Sequence, residues 1–192
     1  MIKMDRLKRA FLVGLFTFIV SIILSFGSNT FLALFPLVLS MFLLSIIVLI
    51  GIIFDVIGVA ATAAEEVPFH AMASNKISGG KHGIWVVRNA DRVSAFCNDV
   101  VGDIVGTLSG AIGTAIVFKF VVLNPNLNEA LLSTVFVALI AAMTVGGKAY
   151  AKTIAINKST EVVLFVGRFL YTLERIGLKF HVKNPRKMHK RK

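Results

Sequence analysis

Four apolar runs, at about 10–26, 31–64, 96–123 and 130–156, dominate this sequence and leave little room for anything else. A helix that crosses a bilayer needs about 20 predominantly apolar residues, so each run reads as a membrane span. Composition agrees. The 192 residues are 56% hydrophobic and only 16% charged, whereas soluble domains average about 45–50% and 25%. The net charge is nevertheless +11. A chain both oily and basic fits spans joined by cationic segments. It does not fit a nucleic-acid-binding domain, because the bases are scattered between apolar runs rather than gathered on a soluble fold. The single cysteine, Cys97, excludes an internal disulfide.

The expected fold is all-α: a polytopic membrane protein with about four transmembrane helices, a juxtamembrane helical segment and a C-terminal amphipathic helix. Residues 1–9 form a basic arm, with Lys3, Arg6, Lys8 and Arg9. The run behind them has signal-peptide features, but its length and the spans that follow favour a retained helix. The run 31–64 would reach about 50 Å as a helix, against a hydrocarbon core of about 30 Å. Tilting, a break with Gly51 and Gly58 as bending points, or extension into the cytoplasm would accommodate it. Residues 65–95 read as a helical segment outside the bilayer, opened by Glu65, Glu66, Pro68 and His70 and broken at Ser78-Gly79-Gly80-Lys81-His82-Gly83. Residues 10–160 thus make up the transmembrane domain with this segment included.

Residues 161–180 change period. Val162, Val166, Phe169, Leu173, Ile176 and Phe180 recur every three to four positions, with Glu161, Arg168, Thr172, Arg175 and Lys179 on the other side. That is an amphipathic helix suited either to the membrane interface or to a neighbouring protein surface. Residues 181–192 are a basic tail attracted to anionic lipid. Lys and Arg concentrate in the arm, in 65–95 and beyond Ile156, and are missing from the two intervening loops. The positive-inside rule then puts both termini in the cytoplasm of a plasma-membrane protein.

Ionisable groups inside a bilayer are expensive and mark functional sites. Asp55, Asp99, Asp103 and Lys148 stand out. Asp99 and Asp103 share a helix face, and Gly102, Gly106 and Gly110 form a ladder that lets helices approach closely. The carboxylates are therefore expected to point into the protein. With Asn98 they form an oxygen-rich set suited to a hard cation such as Mg2+. Asp55 has two readings, as a further ligand or as the partner of Lys148. No zinc-protease, paired-cysteine or P-loop pattern occurs and no catalytic triad is found, so no enzymatic activity and no organic cofactor are expected.

Three ordered stretches resemble the transmembrane domain of the cyclin M/CorB/CorC family of magnesium transporters. They are Phe54-Asp55-Val56-Ile57-Gly58-Val59-Ala60-Ala61-Thr62-Ala63, Asn89-Ala90-Asp91-Arg92-Val93-Ser94 and Gly147-Lys148-Ala149-Tyr150-Ala151-Lys152-Thr153-Ile154-Ala155-Ile156. The resemblance covers roughly residues 32–180. It implies a homodimer that takes a divalent cation, Mg2+ first, from the cytoplasmic side, with Asp55, Asn98, Asp99 and Asp103 as ligands. The run 10–26 would be an additional helix. Three departures matter. Asp55 stands where the family has serine, Lys148 where it has glutamate, and the 192 residues hold no counterpart of the family's CBS pair. A membrane adaptor that binds lipid or a partner through its basic C-terminus is the alternative expectation.

Overall fold

The computed structural model describes residues 11, 12, 14–23, 26, 35–126 and 128–176. Among these, all regular structure is helical. The elements are α1 (Gly14–Ile23), α2 (Leu37–Ala63), α3 (Val67–Ser74), α4 (Gly80–Arg88), α5 (Ala90–Ala95), a π-helical turn (Phe96–Val101), α6 (Gly102–Leu123), α7 (Glu129–Asn157) and α8 (Ser159–Arg175). Three helical stretches are long and apolar enough to cross a membrane: Leu37–Ala63, Ala90–Leu123 and Glu129–Asn157. Of the first expected span, α1 is the described helix, and alone it falls short of the roughly 20 residues a crossing needs. Three candidate spans are thus found among the described residues, and the expected count of four is not confirmed. The arm 1–9 and the tail 181–192 lie outside the described residues.

The chain divides into two compact units. The first comprises residues 1–55 and 96–151. Its core is Leu44 and Val48 of α2 against Ile112 and Ile116 of α6, extended by Leu108, Phe136 and Ile140. In lipid the hydrophobic effect gives helices no reason to associate, so close packing has to hold them. Glycines provide that closeness. A Cβ on Gly51 would sit 2.6 Å from Val105 Cγ1, and one on Gly113 would sit 2.6 Å from Ile140 Cδ1. Gly147 receives Ile52 in the same way. This explains why α2 does not break where bending was anticipated: Gly51 is a notch for Val105 inside a continuous helix. The outer surface is apolar, with Val38, Phe42, Leu49, Phe118, Val122, Leu131 and Val135 exposed. No residue in the most apolar stretch of α7 is buried within the chain. Such a surface requires lipid or another membrane helix around it.

The second unit comprises residues 56–95 and 152–192. Its core joins Ala60, Ala61 and Ala64 from the end of α2, Phe69 of α3, Ile84 and Val86 of α4, Ala155 of α7 and Val163 of α8. Pro68 sits in the first turn of α3, where its missing N–H costs nothing. The break expected over 78–83 is displaced: it falls at residues 75–79, and Gly80-Lys81-His82-Gly83 open α4. Tertiary packing decides this. Gly79 has φ +89°, a conformation suited to glycine, and turns the chain into α4. Gly83 makes room for the Phe69 ring, and a Cβ on Gly80 would lie 2.8 Å from the Ala73 nitrogen. These glycines are contact points, not helix breakers.

Helix α8 begins and ends close to the expected limits, with 177–180 outside the described residues. Its inward face matches the expected one only in part: Val162 and Val166 pack against the core. Val163 and Gly167 are buried, whereas Phe169 and Ile176 are 59% and 76% exposed. Gly167 decides the face, because there α8 meets the turn and first residues of α4. A Cβ on Gly167 would lie 2.5 Å from the Gly79 oxygen and 3.1 Å from the Gly83 nitrogen.

Candidate functional site

The most unusual polar arrangement in the first unit is carried by α2 and α7. Asp55, one residue after Phe54 near the end of the apolar part of α2, is 7% exposed. Its Oδ1 lies 3.6 Å from Lys148 Nζ of α7, an ion pair too long for a hydrogen bond. Its Oδ2 is buried and has no hydrogen-bond partner among the described residues. Gly147 lets α7 close onto Ile52, one turn from Asp55, and so brings Lys148 within reach. Gly102, the first residue of α6, leaves space on the other side: its Cβ would stand 3.8 Å from Lys148 Nζ. Of the two readings open for Asp55, the pairing with Lys148 is present.

Asp99 and Asp103 are placed differently from expectation. Both are exposed within the chain, and Gly106 and Gly110 have nothing within 4 Å. The π-helical turn over Phe96–Val101 lies just before this face. Such a turn inserts residues into the helical register and recurs at functional sites. Here it turns Cys97 into the protein, leaves Asn98 half-buried and sends Asp99 outward. A Cβ on Gly102 would stand 3.8 Å from Lys148 Nζ, but one on Gly106 or Gly110 would meet nothing within 4 Å among the described residues. Among the described residues, no three His, Cys, Asp or Glu side chains come together to hold a metal ion. The four expected ligands are thus not gathered by one chain into a finished metal centre.

Lys119 was not singled out by the sequence reading. It lies on α6 and donates to the Phe35 carbonyl at 2.7 Å, just ahead of Pro36 and the start of α2. A lone Lys inside an otherwise apolar stretch was the available signal.

In the second unit two polar clusters are already internally satisfied. Glu66 Oε1 accepts from Arg88 Nε at 2.7 Å and from His70 Nε2 at 2.7 Å. The Arg88 guanidinium holds the Glu66 carboxyl below its ordinary value; partial burial opposes this and His70 adds to it. Deeper in, His82 Nε2 donates to Glu174 Oε2 at 2.9 Å, and Tyr171 stands edge-on to the imidazole with ring centroids 5.9 Å apart. The His82 side chain is only 5% exposed, so this contact fastens α8 to α4.

Comparison with known protein families, curated proteins and solved structures finds no match for the chain.

Proposed function

We propose that this chain carries a divalent cation, Mg2+ in the first instance, across the plasma membrane in the manner of the CorB/CorC-like transporters that its sequence resembles. The observation that supports this reading is the Asp55 carboxylate. It is buried in an apolar helical unit, has one oxygen without a partner, and is balanced by Lys148 at 3.6 Å. A buried carboxylate oxygen left unsatisfied is costly, and a cation would relieve that cost. In this scheme the Lys148 ammonium is a tethered substitute for the ion, and an entering cation displaces or shares with it. Asp99, Asp103 and Asn98 then line the approach along α6. A homodimer joined across the open face of α6 would juxtapose Gly106 and Gly110 of two copies and bring four carboxylates together. The charge distribution supports cytoplasmic termini on both ends. No enzymatic step and no organic cofactor belong to this reading.

The pairing of Asp55 with Lys148 also favours a second reading, a membrane adaptor that transports nothing. A carboxylate neutralised by its own chain has less need of an ion. Such a protein would act through its juxtamembrane unit and basic C-terminus on lipid or a partner.

Flux separates the two. The full chain is reconstituted in liposomes loaded with a magnesium-sensitive dye, beside the Asp99→Asn/Asp103→Asn double variant. Transport predicts dye response with the parent chain and its loss in the variant. Retained flux in the variant would remove Asp99 and Asp103 from the ion path. A folded, inserted parent chain with no flux above empty liposomes would overturn transport and leave the adaptor.

A further inference from the structure

Helix α8 has two apolar sides, and only one of them is used by the fold. The inward side carries Val163 and Gly167, together with Glu174 at His82. On the opposite side Phe165, Phe169 and Ile176 are 70%, 59% and 76% exposed. Their spacing of four and seven residues places them in one stripe along the helix. Arg168 and Arg175, also exposed and two turns apart, run beside that stripe.

What covers the stripe follows from where the helix starts. Helix α7 is long and apolar enough to cross a membrane, and Lys158 alone separates its last residue, Asn157, from α8. Ile154 and Ile156 are 42% and 57% exposed, so the apolar surface of α7 continues into its last turn. One linking residue spans at most about 3.6 Å. The stripe of α8 therefore begins directly after the end of that apolar helix. Charge narrows the choice further. The flanking side chains are arginines, and the sequence that follows adds Lys179, Lys183, Arg186, Lys187, Lys190, Arg191 and Lys192. Of the acidic residues on α8, Glu174 is engaged by His82, and Glu161 lies 3.9 Å from Lys158. A helix with aromatic residues along one stripe, arginines at its edge and a span immediately before it matches an anionic bilayer surface.

We propose that the outer face of α8 docks on anionic lipid, with Phe165, Phe169 and Ile176 in the boundary between headgroups and acyl chains and Arg168 and Arg175 on lipid phosphates. The docking side is opposite the His82–Glu174 contact, so α8 is clamped between α4 and the bilayer. This inference does not depend on cation transport.

The test places a tryptophan on the stripe. The full chain carrying Trp85→Phe and Phe169→Trp is reconstituted in phosphatidylcholine with and without phosphatidylglycerol, using lipids brominated just below the headgroup. Interfacial helices bury their apolar face about 5–10 Å into this region. The bromines should then quench the introduced tryptophan, and more strongly with phosphatidylglycerol. Adding Arg168→Gln and Arg175→Gln should abolish the phosphatidylglycerol increment and leave the helix content unchanged. Quenching by aqueous iodide but not by bromolipid would overturn the proposal, because the stripe would then face water. Protection from both quenchers would also overturn it, by showing that a protein surface, either a second copy or another partner, covers α8. The two arginine substitutions in the parent chain, read by its natural Trp85 and by circular dichroism, control for misfolding.

Discussion

Asp55 and Lys148 illustrate how one residue can create a debt that another must settle inside a membrane. Asp55 is buried, and without Lys148 its charge would cost several kcal/mol. Together they are tolerable, but not fully satisfied, because Oδ2 of Asp55 has no partner. Lys148→Met should therefore destabilise the chain by up to about 3 kcal/mol. Asp55→Asn/Lys148→Met should recover most of that loss, since no uncompensated charge remains. Unfolding in detergent, followed by circular dichroism without divalent ions, measures both. If transport is right, added Mg2+ should raise the melting temperature of Lys148→Met more than that of the parent, because it occupies the place the ammonium vacated. Equal stability of Lys148→Met and the parent would mean that the pair carries no energetic weight.

At the scale of elements, glycine is the main structural instrument, and it acts by what it lets approach. Gly167 meets backbone atoms of Gly79 and Gly83, which cannot move aside as a flexible side chain could. Gly167→Val should part α8 from α4, break the His82–Glu174 contact and cost about 1–3 kcal/mol. Faster amide exchange across residues 80–88 and 159–175, with exchange in the core of the first unit unchanged, is the expected signature. Gly146→Ala is the matching control: a Cβ there would meet nothing within 4 Å among the described residues, so exchange in α4 and α8 should stay at parental values and stability should not fall.

The same glycines show which features the sequence exposed and which it hid. Apolar length alone was enough to show that three long helices exist, because backbone groups in lipid must be satisfied within a helix, but two of them start six residues from the expected positions, at Leu37 and Ala90. The position of the break before α4 was not legible. Gly80 and Gly83 read as helix breakers until Ala73 and Phe69 are known to press against them. The inward face of α8 was legible at Val162 and Val166 but not at its centre, for a related reason. A residue without a side chain adds nothing to an amphipathic pattern, yet Gly167 marks the contact. At the site, the pairing of Asp55 with Lys148 was legible as one of two options, since both are isolated charges in apolar runs. The outward direction of Asp99 was not, because the π-helical turn over Phe96–Val101 shifts a register that four-residue spacing takes for granted.

For the whole molecule, the first unit exposes groups that lipid does not welcome. Exposed Asp99 and Asp103 sit on the same helical stretch as the open Gly106 and Gly110. Carboxylates facing hydrocarbon are unfavourable, whereas a small-residue ladder facing another helix is a recognised packing surface in membranes. A second copy placed there would shield both features at once, and symmetric pairing is the commonest form of self-assembly. Cross-linking tests this directly. With Cys97 changed to Ser, Gly106→Cys should form a disulfide-linked dimer in native membranes under mild oxidation. A cysteine at Phe42, an exposed position on α2 outside this ladder, should not. Dimer from the α6 position alone would join the two carboxylate pairs at one interface and give the cation path its missing ligands. A monomer at both positions would remove the homodimer, and with it the assembly that the proposed ion path requires.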